Sequence, residues 1–344
     1  MDRQAAIEAA IADRRERIND AIDVDLPVRT PERLYEAARY LLEAGGKRLR
    51  PTILLLAGEA LAELEQPDPP YRAVPDVDGD AVDLMAAAVS IEIIQSFTLI
   101  HDDIMDDDDL RRGVPAVHEA FDLETAILAG DTLYSKAFEN MLETGATAPR
   151  SVRALSELAT TCTRICEGQA LDVDFEGRGA VEPDEYLQMI ELKTAVLYAA
   201  AASSPAILLG HKDAVDALYG YGLDVGRAFQ IQDDLLDLTT PTETLGKQRG
   251  SDLVEGKQTL VTVHAREHGV DVDGLVSAES VEAVTDAEID AALVELEEAG
   301  SIAYARQTAR ELVESGKQNV EMLPDGEPRR LLVDIADYLV EREY

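Results

Sequence analysis

Apolar residues recur at intervals of three and four along almost the whole chain, which is the pattern of amphipathic α-helices. No stretch alternates between apolar and polar side chains strictly enough to predict a sheet. The sequence therefore predicts an all-α protein. We expect about ten or more helices, over residues 2–22, 31–44, 81–106, 123–143, 150–171, 183–203, 212–237, 257–268, 286–298, 301–319 and 328–342.

Proline and glycine interrupt this helical pattern in four places, at residues 65–80, 176–183, 239–256 and around 269–280. None of the four breaks has the composition of a flexible interdomain linker, and no repeat period emerges. We therefore expect residues 1–344 to form one large helical domain around a single core, to which the helices of 281–344 also belong. Asp80 is the predicted N-cap of the helix over 81–106.

The chain is strongly acidic, with 69 acidic against 31 basic residues and a formal net charge of -38 over 344 residues. A nucleic acid would meet a surface of its own sign, so nucleic-acid binding is excluded. Only 7 of the basic residues are lysines. This surface is typical of a halophilic protein, because salt screens like charges within about 3 Å at 1 M. The alternative is an ordinary acidic cytosolic protein.

Cysteine usage and the apolar runs indicate a reducing, aqueous compartment. Cys162 and Cys166 are too few for a disulfide framework, and no other metal ligands accompany them. The N-terminal residues are typical of a helix start and not of a signal peptide. The longest uncharged run, residues 194–210, is too short to span a membrane and contains Pro205. We therefore expect a cytoplasmic protein without a membrane span.

Two acidic rows end apolar helices. Asp102 and Asp106 are four residues apart in DDIMD, and Asp233 and Asp237 repeat that spacing in DDLLD. A spacing of four puts both carboxylates on one helical face, and carboxylates without histidine or cysteine suit Mg²⁺. Because aspartate is abundant in this chain, such rows also arise by chance, and the two rows alone do not establish a metal site.

Basic residues close to the acidic rows strengthen the metal interpretation. The first row is followed by Arg111, Arg112 and Gly113, and paired guanidinium groups at a turn suit phosphate oxygens. Four of the few lysines lie in short, mostly glycine-bearing segments: Lys47, Lys193, Lys247 and Lys257. Carboxylates for a metal together with cations for phosphate predict a site for a Mg²⁺-bound diphosphate.

With these motifs the chain resembles the trans-isoprenyl diphosphate synthases, and most of all the archaeal-type geranylgeranyl diphosphate synthases. The motifs follow the family's order from about Arg33 to Leu260: GGKRLRP, LIHDDIMDDDDLRRG, Lys193-Thr194, FQIQDDLLD and GKQRGSDLVEGKQT. The resemblance implies an all-α fold around a central cavity, with the two acidic rows facing each other across its mouth. It also implies a prenyltransferase that condenses isopentenyl diphosphate with an allylic diphosphate, and a homodimer.

The resemblance further implies a role for each motif residue. Asp102 and Asp106 would bind two Mg²⁺ ions and Asp233 would help to bind a third, with Asp103 and Asp237 in support. The allylic diphosphate would be held by the metals and by Arg111, Lys193, Lys247 and Lys257. Isopentenyl diphosphate would be held by Lys47, Arg50, Gln95 and Arg112. Many relatives carry histidine at the position of Gln95.

The chemistry implied by the resemblance is ionisation, condensation and elimination. The leaving diphosphate gains charge as the allylic C–O bond breaks, so preplaced cations stabilise the transition state more than the ground state. The allylic cation would face the Thr194 hydroxyl, the Gln230 amide oxygen and a backbone carbonyl near Lys193. The departing diphosphate would remove the proton, so no protein base is required.

Product length is expected to follow from the helix that carries the first acidic row. Phe97 precedes Asp102 by five residues, and the resemblance makes an aromatic residue there a floor of the cavity. Phe97 as an ordinary core residue is an equally good interpretation. The small Thr98 and the absence of an insertion in the row favour a C20 product, with C15 and C25 as alternatives.

Other classes of protein remain as alternatives. A terpene cyclase also uses a DDxxD row, but the basic turn at Lys47 and the paired cationic sites favour two diphosphates over one. A non-catalytic partner subunit or an acidic cation-binding protein would be expected to lose one acidic row or the Arg111-Arg112 pair. Both features are present here.

Overall fold

The computed structural model describes residues 3–64, 66–241, 249–278, 280–281 and 283–341, and of Glu176 only the backbone. The first half of the described chain contains α1 Arg3–Asp25, α2 Glu32–Glu43, α3 Leu49–Leu61, α4 Leu84–Met105, α5 Val117–Ala120, α6 Leu123–Leu142 and α7 Ala148–Glu176. The second half contains α8 Pro183–Ile190, a π-helical segment Glu191–Ala195, α9 Val196–Leu209, α10 Val215–Thr239, α11 Ser251–Val254, α12 Leu260–Glu267, α13 Asp286–Glu298, α14 Ser301–Asn319 and α15 Glu327–Glu341. The all-α prediction is confirmed.

Two short antiparallel hairpins are the strands that the described chain contains. β1 Val74–Pro75 pairs with β2 Ala81–Val82, and β3 Leu110–Arg111 pairs with β4 Val114–Pro115. Each strand is two residues long, which is too short for an alternating pattern to appear in the sequence. The hairpins act as tight connections between helices.

The chain separates into two compact units. The first unit comprises Met1–Cys162, Ala200–Tyr219 and Val320–Asp334, and the second comprises Thr163–Ala199, Gly220–Asn319 and Ile335–Tyr344. Neither unit is continuous in sequence, so a linker search along the chain has no boundary to find. A single domain over residues 1–344 stays a prediction.

The core of the first unit is built on α3 and α4. Every residue of α3 except Arg50 is buried, including Thr52 and Glu59, so the helix has no exposed polar face and no 3.6-residue stripe for the sequence to show. For this reason the pattern did not predict it. α4 packs against α6, where the Ser90 hydroxyl donates to the Ala137 carbonyl oxygen at 2.7 Å. This packing fixes the helix that ends at the first acidic row.

The start of α4 corrects the predicted cap. The prediction of Asp80 as N-cap is wrong, because α4 begins at Leu84 and the Asp83 carboxylate accepts from the Ala86 backbone N–H at 2.8 Å. The Asp80 backbone N–H donates instead to Asp76 Oδ1 at 2.9 Å. Four aspartates, at positions 76, 78, 80 and 83, precede the helix, and the pairing of β1 with β2 decides which one is in the capping position.

Two helical stretches, Leu84–Met105 and Pro183–Leu209, are long and apolar enough to cross a membrane by composition alone. Of their most apolar windows, 72% and 89% are buried inside the protein. Such burial is expected for core helices. The expectation that the chain has no membrane span remains a prediction.

Candidate active site

The basic turn before α3 is a left-handed loop in the first unit. Gly45 has φ 97°, Gly46 has φ 147° and Arg48 has φ 52°. A Cβ atom on Gly46 would lie 3.1 Å from Arg112 Cζ, so glycine is required both by the backbone and by the close guanidinium. The turn presents Lys47 at the surface and leaves Arg50 half-buried at the start of α3.

Arg48 anchors this turn from the inside. Its side chain is buried and donates to Glu92, to Asn19 Oδ1 at 3.0 Å and to the Leu42 carbonyl oxygen at 2.5 Å. Glu92 is also buried and lies on α4, ten residues before Asp102. A buried, hydrogen-bonded guanidinium–carboxylate pair therefore ties the basic turn to the helix that carries the first acidic row.

Arg112 approaches the same turn from the β3–β4 hairpin. Arg112 and Gly113 form the two-residue turn of this hairpin. Their φ angles are 55° and 77°, and positive φ at both positions is typical of the tight turns that join two antiparallel strands. Arg112 donates to the carbonyl oxygens of Leu41, at 2.9 Å, and Gly45. Its second nitrogen is 3.9 Å from Glu92. The hairpin thus carries Arg112 across the glycine turn.

Arg111, the neighbouring arginine, bridges two carboxylates. Its Nε donates to Asp103 Oδ1 at 2.5 Å and its Nη2 donates to Asp108 Oδ2 at 2.7 Å. Asp103 is fully buried, and its Oδ2 has no hydrogen-bond partner among the described residues. Burial raises the pKa of Asp103, against the opposing charge of Arg111. Asp102 is half-buried and Asp106 is exposed at the end of α4.

These arginines form a cluster with an excess of positive charge, which we call the arginine cluster: Arg48, Arg50, Arg111 and Arg112. Burial lowers the pKa of Arg112. The positive charges of the three other arginines lower it further, whereas the negative charge of Glu92 raises it. In a chain of net charge -38, such a cluster is a specific local feature. An anion bound beside it would relieve the repulsion.

The two remaining positions singled out on α4 lie close to this cluster along the helix. Gln95 is half-buried and lies one helical turn after Glu92. Its backbone carbonyl oxygen accepts a hydrogen bond from the Thr98 hydroxyl at 2.9 Å. Phe97 is also half-buried. Its ring makes edge contacts with His101 at 5.0 Å and with Tyr134 of α6 at 5.3 Å. Phe97 is therefore braced by rings on two helices.

In the second unit, Lys193 and Thr194 lie in the π-helical segment Glu191–Ala195. Such a segment widens one turn of a helix and is common at functional sites. Residues from α7 and α10 pack closely on it: a Cβ atom on Gly168 would lie 2.2 Å from the Lys193 backbone nitrogen. The close approach holds the widened turn in place.

A cavity of about 130 Å³ opens beside this segment, entirely within the second unit. It is lined by Asp172, Tyr186, Met189, Ile190, Lys193, Thr194, Gln230, Asp234, Asp252, Lys257, Gln258 and Thr259. Lys193 Nζ donates to Asp172 Oδ2 at 2.5 Å, and Lys257 Nζ is 2.9 Å from Glu255 and 3.8 Å from Asp252. Both lysines line the cavity, and the ammonium group of each lies close to at least one carboxylate.

A chain of hydrogen bonds crosses one wall of the cavity. The Thr194 hydroxyl donates to Gln230 Oε1 at 2.9 Å, and Gln230 Nε2 donates to Asp234 Oδ1 at 3.0 Å. The Tyr186 hydroxyl donates to the other oxygen, Asp234 Oδ2, at 2.6 Å. Burial raises the pKa of Asp234, and the charge of Asp252 acts in the same direction. Thr194 and Gln230, two predicted site residues, are in direct contact.

The second acidic row divides into one accessible and two internal carboxylates. Asp233 is half-buried, whereas Asp234 and Asp237 are buried. Asp237 accepts from the Ser251 hydroxyl at 2.8 Å and from the Asp252 backbone N–H at 3.1 Å, which fixes the start of α11. Asp237 therefore holds the first turn of α11, and its part in metal binding stays a prediction.

The carboxylates fit Mg²⁺ better than a transition metal. Among the described residues, no three or more histidine, cysteine or carboxylate side chains are close enough together to form a metal site by themselves. Mg²⁺ commonly takes one or two carboxylates and completes its shell with water and phosphate oxygens. Asp103 Oδ2, buried without a hydrogen bond, and the acidic lining of the cavity are compatible with such a cation.

Sequence reasoning found most of the residues that the structure groups together. Lys193, Thr194, Gln230 and Lys257 share the cavity, and Arg50, Arg111 and Arg112 share the cluster. Lys247 lies outside the described residues. The cavity residues that the sequence did not single out include Asp172, Tyr186, Asp252, and Asp234 as a buried hydrogen-bond acceptor. Asp172 and Asp252 carried a signal, since each is an acid near a motif, but Tyr186 carried none.

Comparisons with known proteins agree with these motifs. Residues 31–295 match the polyprenyl synthetase family. The chain is 69% identical over 339 residues to the geranylfarnesyl diphosphate synthase of Natronomonas pharaonis, covering 98% of each chain. It is 48% identical over 335 residues to the geranylgeranyl diphosphate synthase of Methanosarcina mazei, covering 97% of each.

A solved structure agrees with the fold. The geranylgeranyl pyrophosphate synthetase of Geoglobus acetivorans superposes with a TM-score of 0.85 at 43% sequence identity, over 96% of this chain and 99% of that one. The family match covers well over half of the chain. The chain therefore belongs to the polyprenyl synthetase family and is a trans-prenyltransferase.

Proposed function

We propose that the protein condenses isopentenyl diphosphate with allylic diphosphates (dimethylallyl, geranyl and farnesyl) head to tail, with geranylgeranyl diphosphate (C20) as the product. The observation that carries the proposal is the arginine cluster. Four guanidinium groups face three carboxylates, those of Glu92, Asp103 and Asp108, and so leave an excess of positive charge in a chain that is otherwise strongly acidic. Diphosphate is the anion that paired guanidinium groups suit best.

Isopentenyl diphosphate is assigned to the arginine cluster and its neighbours. Lys47, Arg50, Gln95 and Arg112 would bind it, with Arg112 exchanging backbone carbonyl partners for phosphate oxygens. Arg48 and Glu92 hold the turn and thus set the position of Lys47. Pre-positioned cations cost little reorganisation when the charged substrate arrives.

The allylic diphosphate is assigned to Arg111, Lys193, Lys247 and Lys257, with Asp102, Asp106 and Asp233 as ligands of about three Mg²⁺ ions. The metal ions, when bound, stabilise the charge that develops on the leaving diphosphate. Lys193 and Lys257 are already held by carboxylates at the cavity. The Thr194 hydroxyl and the Gln230 carbonyl offer oxygen dipoles to the allylic cation.

Product analysis tests the proposal. The purified protein is incubated with radiolabelled isopentenyl diphosphate, farnesyl diphosphate and MgCl₂ in concentrated KCl, and the dephosphorylated products are separated by HPLC. We expect a C20 alcohol, and none when EDTA replaces MgCl₂. Absence of any elongated product under all salt conditions would overturn the proposed function.

A C25 product is a second candidate, because the Natronomonas pharaonis relative that is 69% identical is a geranylfarnesyl diphosphate synthase. The half-buried Phe97 ring, braced by His101 and Tyr134, supports the shorter product. Phe97→Ala removes that ring and should shift the main product beyond C20. An unchanged C20 product from this variant would refute Phe97 as the floor, and a C25 product from the wild type would establish the second candidate.

A homodimer and a cytoplasmic location complete the proposal. Helix α6 leaves a series of large apolar side chains exposed in the first unit: Leu123, Ile127, Leu128, Tyr134 and Leu142. Such a surface is typical of one that a second copy covers. Light scattering should give the mass of two chains for the wild type and of one chain for Leu128→Glu. Val294→Glu, at an exposed apolar position of α13, should leave the mass unchanged.

A further inference from the structure

One wall of the cavity carries two buried groups to which the proposed reaction assigns no part. Tyr186, on α8, and Asp234, on α10, are both buried and hydrogen-bonded to each other at 2.6 Å. Neither carries an assigned contact with a diphosphate. Asp234 also accepts a hydrogen bond from Gln230, and Gln230 in turn accepts one from Thr194.

The orientation of the Gln230 amide depends on Asp234. An amide has an oxygen that accepts and a nitrogen that donates, and the two ends exchange places when the group turns over. In the structure the amide nitrogen faces Asp234 Oδ1, which lies 3.0 Å away, and the opposite orientation would exchange this hydrogen bond for a contact between two oxygens. Gln230 Oε1 is thereby directed to the Thr194 hydroxyl.

The orientation of Asp234 depends in turn on Tyr186. The phenol donates to Oδ2 and so leaves Oδ1 for the Gln230 nitrogen. Burial, together with the charge of Asp234, raises the pKa of the Tyr186 phenol, so that it remains a donor. At 2.6 Å, the hydrogen bond is at the short end of the usual range for an O–H donor and an oxygen acceptor.

We infer that Tyr186 and Asp234 are positioning residues that lock the Gln230 amide in one orientation, so that the Gln230 carbonyl and the Thr194 hydroxyl present fixed oxygen dipoles to the ionising allylic group. The inference rests on the proposed function. Fixed dipoles stabilise developing positive charge without having to reorient, whereas an amide free to turn over would expose its N–H₂ group half of the time.

The effect is expected in the chemical step and not in substrate binding. The three hydrogen bonds that join Tyr186, Asp234, Gln230 and Thr194 involve no ammonium or guanidinium group. Tyr186→Phe keeps the ring and its packing and removes only the hydroxyl. We expect kcat to fall about tenfold, as for loss of one hydrogen bond to a charged group, with KM for both diphosphates within about twofold of the wild type.

The matched control is Tyr221→Phe. Tyr221 lies on α10 in the same unit and is equally buried, but it does not line the cavity. Its hydroxyl lies near Asp337. This variant should keep the kcat of the wild type, while the melting temperatures of the two variants should change by similar amounts.

A double-mutant cycle separates positioning from a structural role. Thr194→Ala removes one of the two groups that the network orients. If Tyr186 acts through Gln230 and Thr194, adding Tyr186→Phe to Thr194→Ala should lower kcat by less than about threefold further, because coupled residues are not additive. A purely structural role would give the full tenfold loss in both backgrounds.

Two results would overturn the inference: a Tyr186→Phe kcat within twofold of the wild type, or fully additive losses in the cycle. Failure of the proposed function is distinguishable, because it would show as a wild-type protein that makes no elongated prenyl diphosphate. The cycle is run with the full-length protein, farnesyl diphosphate and isopentenyl diphosphate in the salt that gives wild-type activity.

Discussion

The second carboxylate of each acidic row is buried and holds a neighbouring side chain. Asp103 fixes Arg111, and Asp234 fixes Gln230. The first carboxylates, Asp102 and Asp233, are half-buried and more accessible. In each row, then, the first aspartate is the more exposed one, while the second is buried and orders a neighbouring side chain.

Replacing Arg111 by lysine tests the first of these arrangements. Lysine carries the charge but not the planar fork that bridges Asp103 and Asp108. We expect Arg111→Lys to lower kcat/KM for the allylic diphosphate about 10- to 100-fold, the equivalent of one or two charge-assisted hydrogen bonds. Steady-state kinetics measure this. Arg15→Lys, at an exposed position of α1, serves as the control, and an equal loss there would contradict the account.

Asp76 gives a residue-scale prediction for pH. Hydrogen bonds from the backbone N–H groups of Asp78 and Asp80 and the charge of Arg150 lower the pKa of Asp76 despite its burial. A lowered pKa in the folded state contributes stability above the unfolded pKa of about 3.9, and that contribution is lost as the pH falls through the folded value.

Asp76→Asn should therefore reduce the free energy of unfolding by about 1–3 kcal/mol near neutral pH, through loss of the charge-assisted bond to Arg150. The reduction should shrink as the pH falls below about 4, where the unfolded carboxylate begins to take up a proton, and should vanish below the lowered pKa of the folded state. Urea titrations at several pH values measure it. Asp78→Asn removes the exposed partner of Arg150 and should change stability by less than about 0.5 kcal/mol.

At the scale of elements, the π-helical segment is the feature that places Lys193 and Thr194. The turn is held open by Gly168 of α7, which lies against the Lys193 backbone, and by Gly226 of α10, where a Cβ atom would lie 2.6 Å from Ala195 Cα. Glycine is needed at both positions because a side chain would collide with the segment, and not because the backbone there has a positive φ. The segment depends on neighbours that are distant in sequence.

Gly168→Ala tests this packing. A methyl group there would lie 2.2 Å from the Lys193 backbone nitrogen, so the segment must shift. We expect a loss of about 1–3 kcal/mol of stability and a lower kcat, because the shift displaces Thr194. Thermal unfolding and kinetics report both. Gly179→Ala meets nothing within 4 Å and should change neither, and a normal kcat for Gly168→Ala would refute the packing argument.

Helices with an amphipathic pattern within their own residues could be predicted from the sequence. Features that depend on packing against distant residues could not. Most amphipathic helices were placed within a few residues, whereas α3 was missed because it is buried on all sides and has no exposed polar face. The π-helical segment has no sequence signature, and Asp83 rather than Asp80 caps α4 because of the β1–β2 pairing. Residues of the GGKRLRP, DDIMD and DDLLD motifs were predictable, but Tyr186 was not, since one buried tyrosine resembles another in sequence.

At the scale of the whole molecule, charge is the dominant property. A net charge of -38 is spread along the chain, and its repulsion is strong at low ionic strength. Many of the carboxylates in the structure pair with arginine at the surface, where each pair contributes little. The folded state should therefore depend on salt more than on individual ion pairs.

We expect the protein to lose activity and to melt at a lower temperature when KCl is reduced from multimolar to about 0.1 M, where the Debye length grows to about 10 Å. Product formation and circular dichroism at fixed MgCl₂ measure the two effects. Restoring KCl should restore activity if unfolding is reversible. Full activity at 0.1 M KCl would show that the acidic surface has no part in salt adaptation.

The most direct test of the central claim is Mg²⁺-dependent product formation in variants of each acidic row. Asp102→Asn and Asp233→Asn should each lower kcat by at least about 100-fold and raise the Mg²⁺ concentration needed for half-maximal activity, because the proposed site takes metal ligands from both rows. Asp109→Asn and Asp216→Asn, at exposed positions near the first row and at the start of α10, should match the wild type. Wild-type activity in either Asp102→Asn or Asp233→Asn, at unchanged stability, would contradict the account.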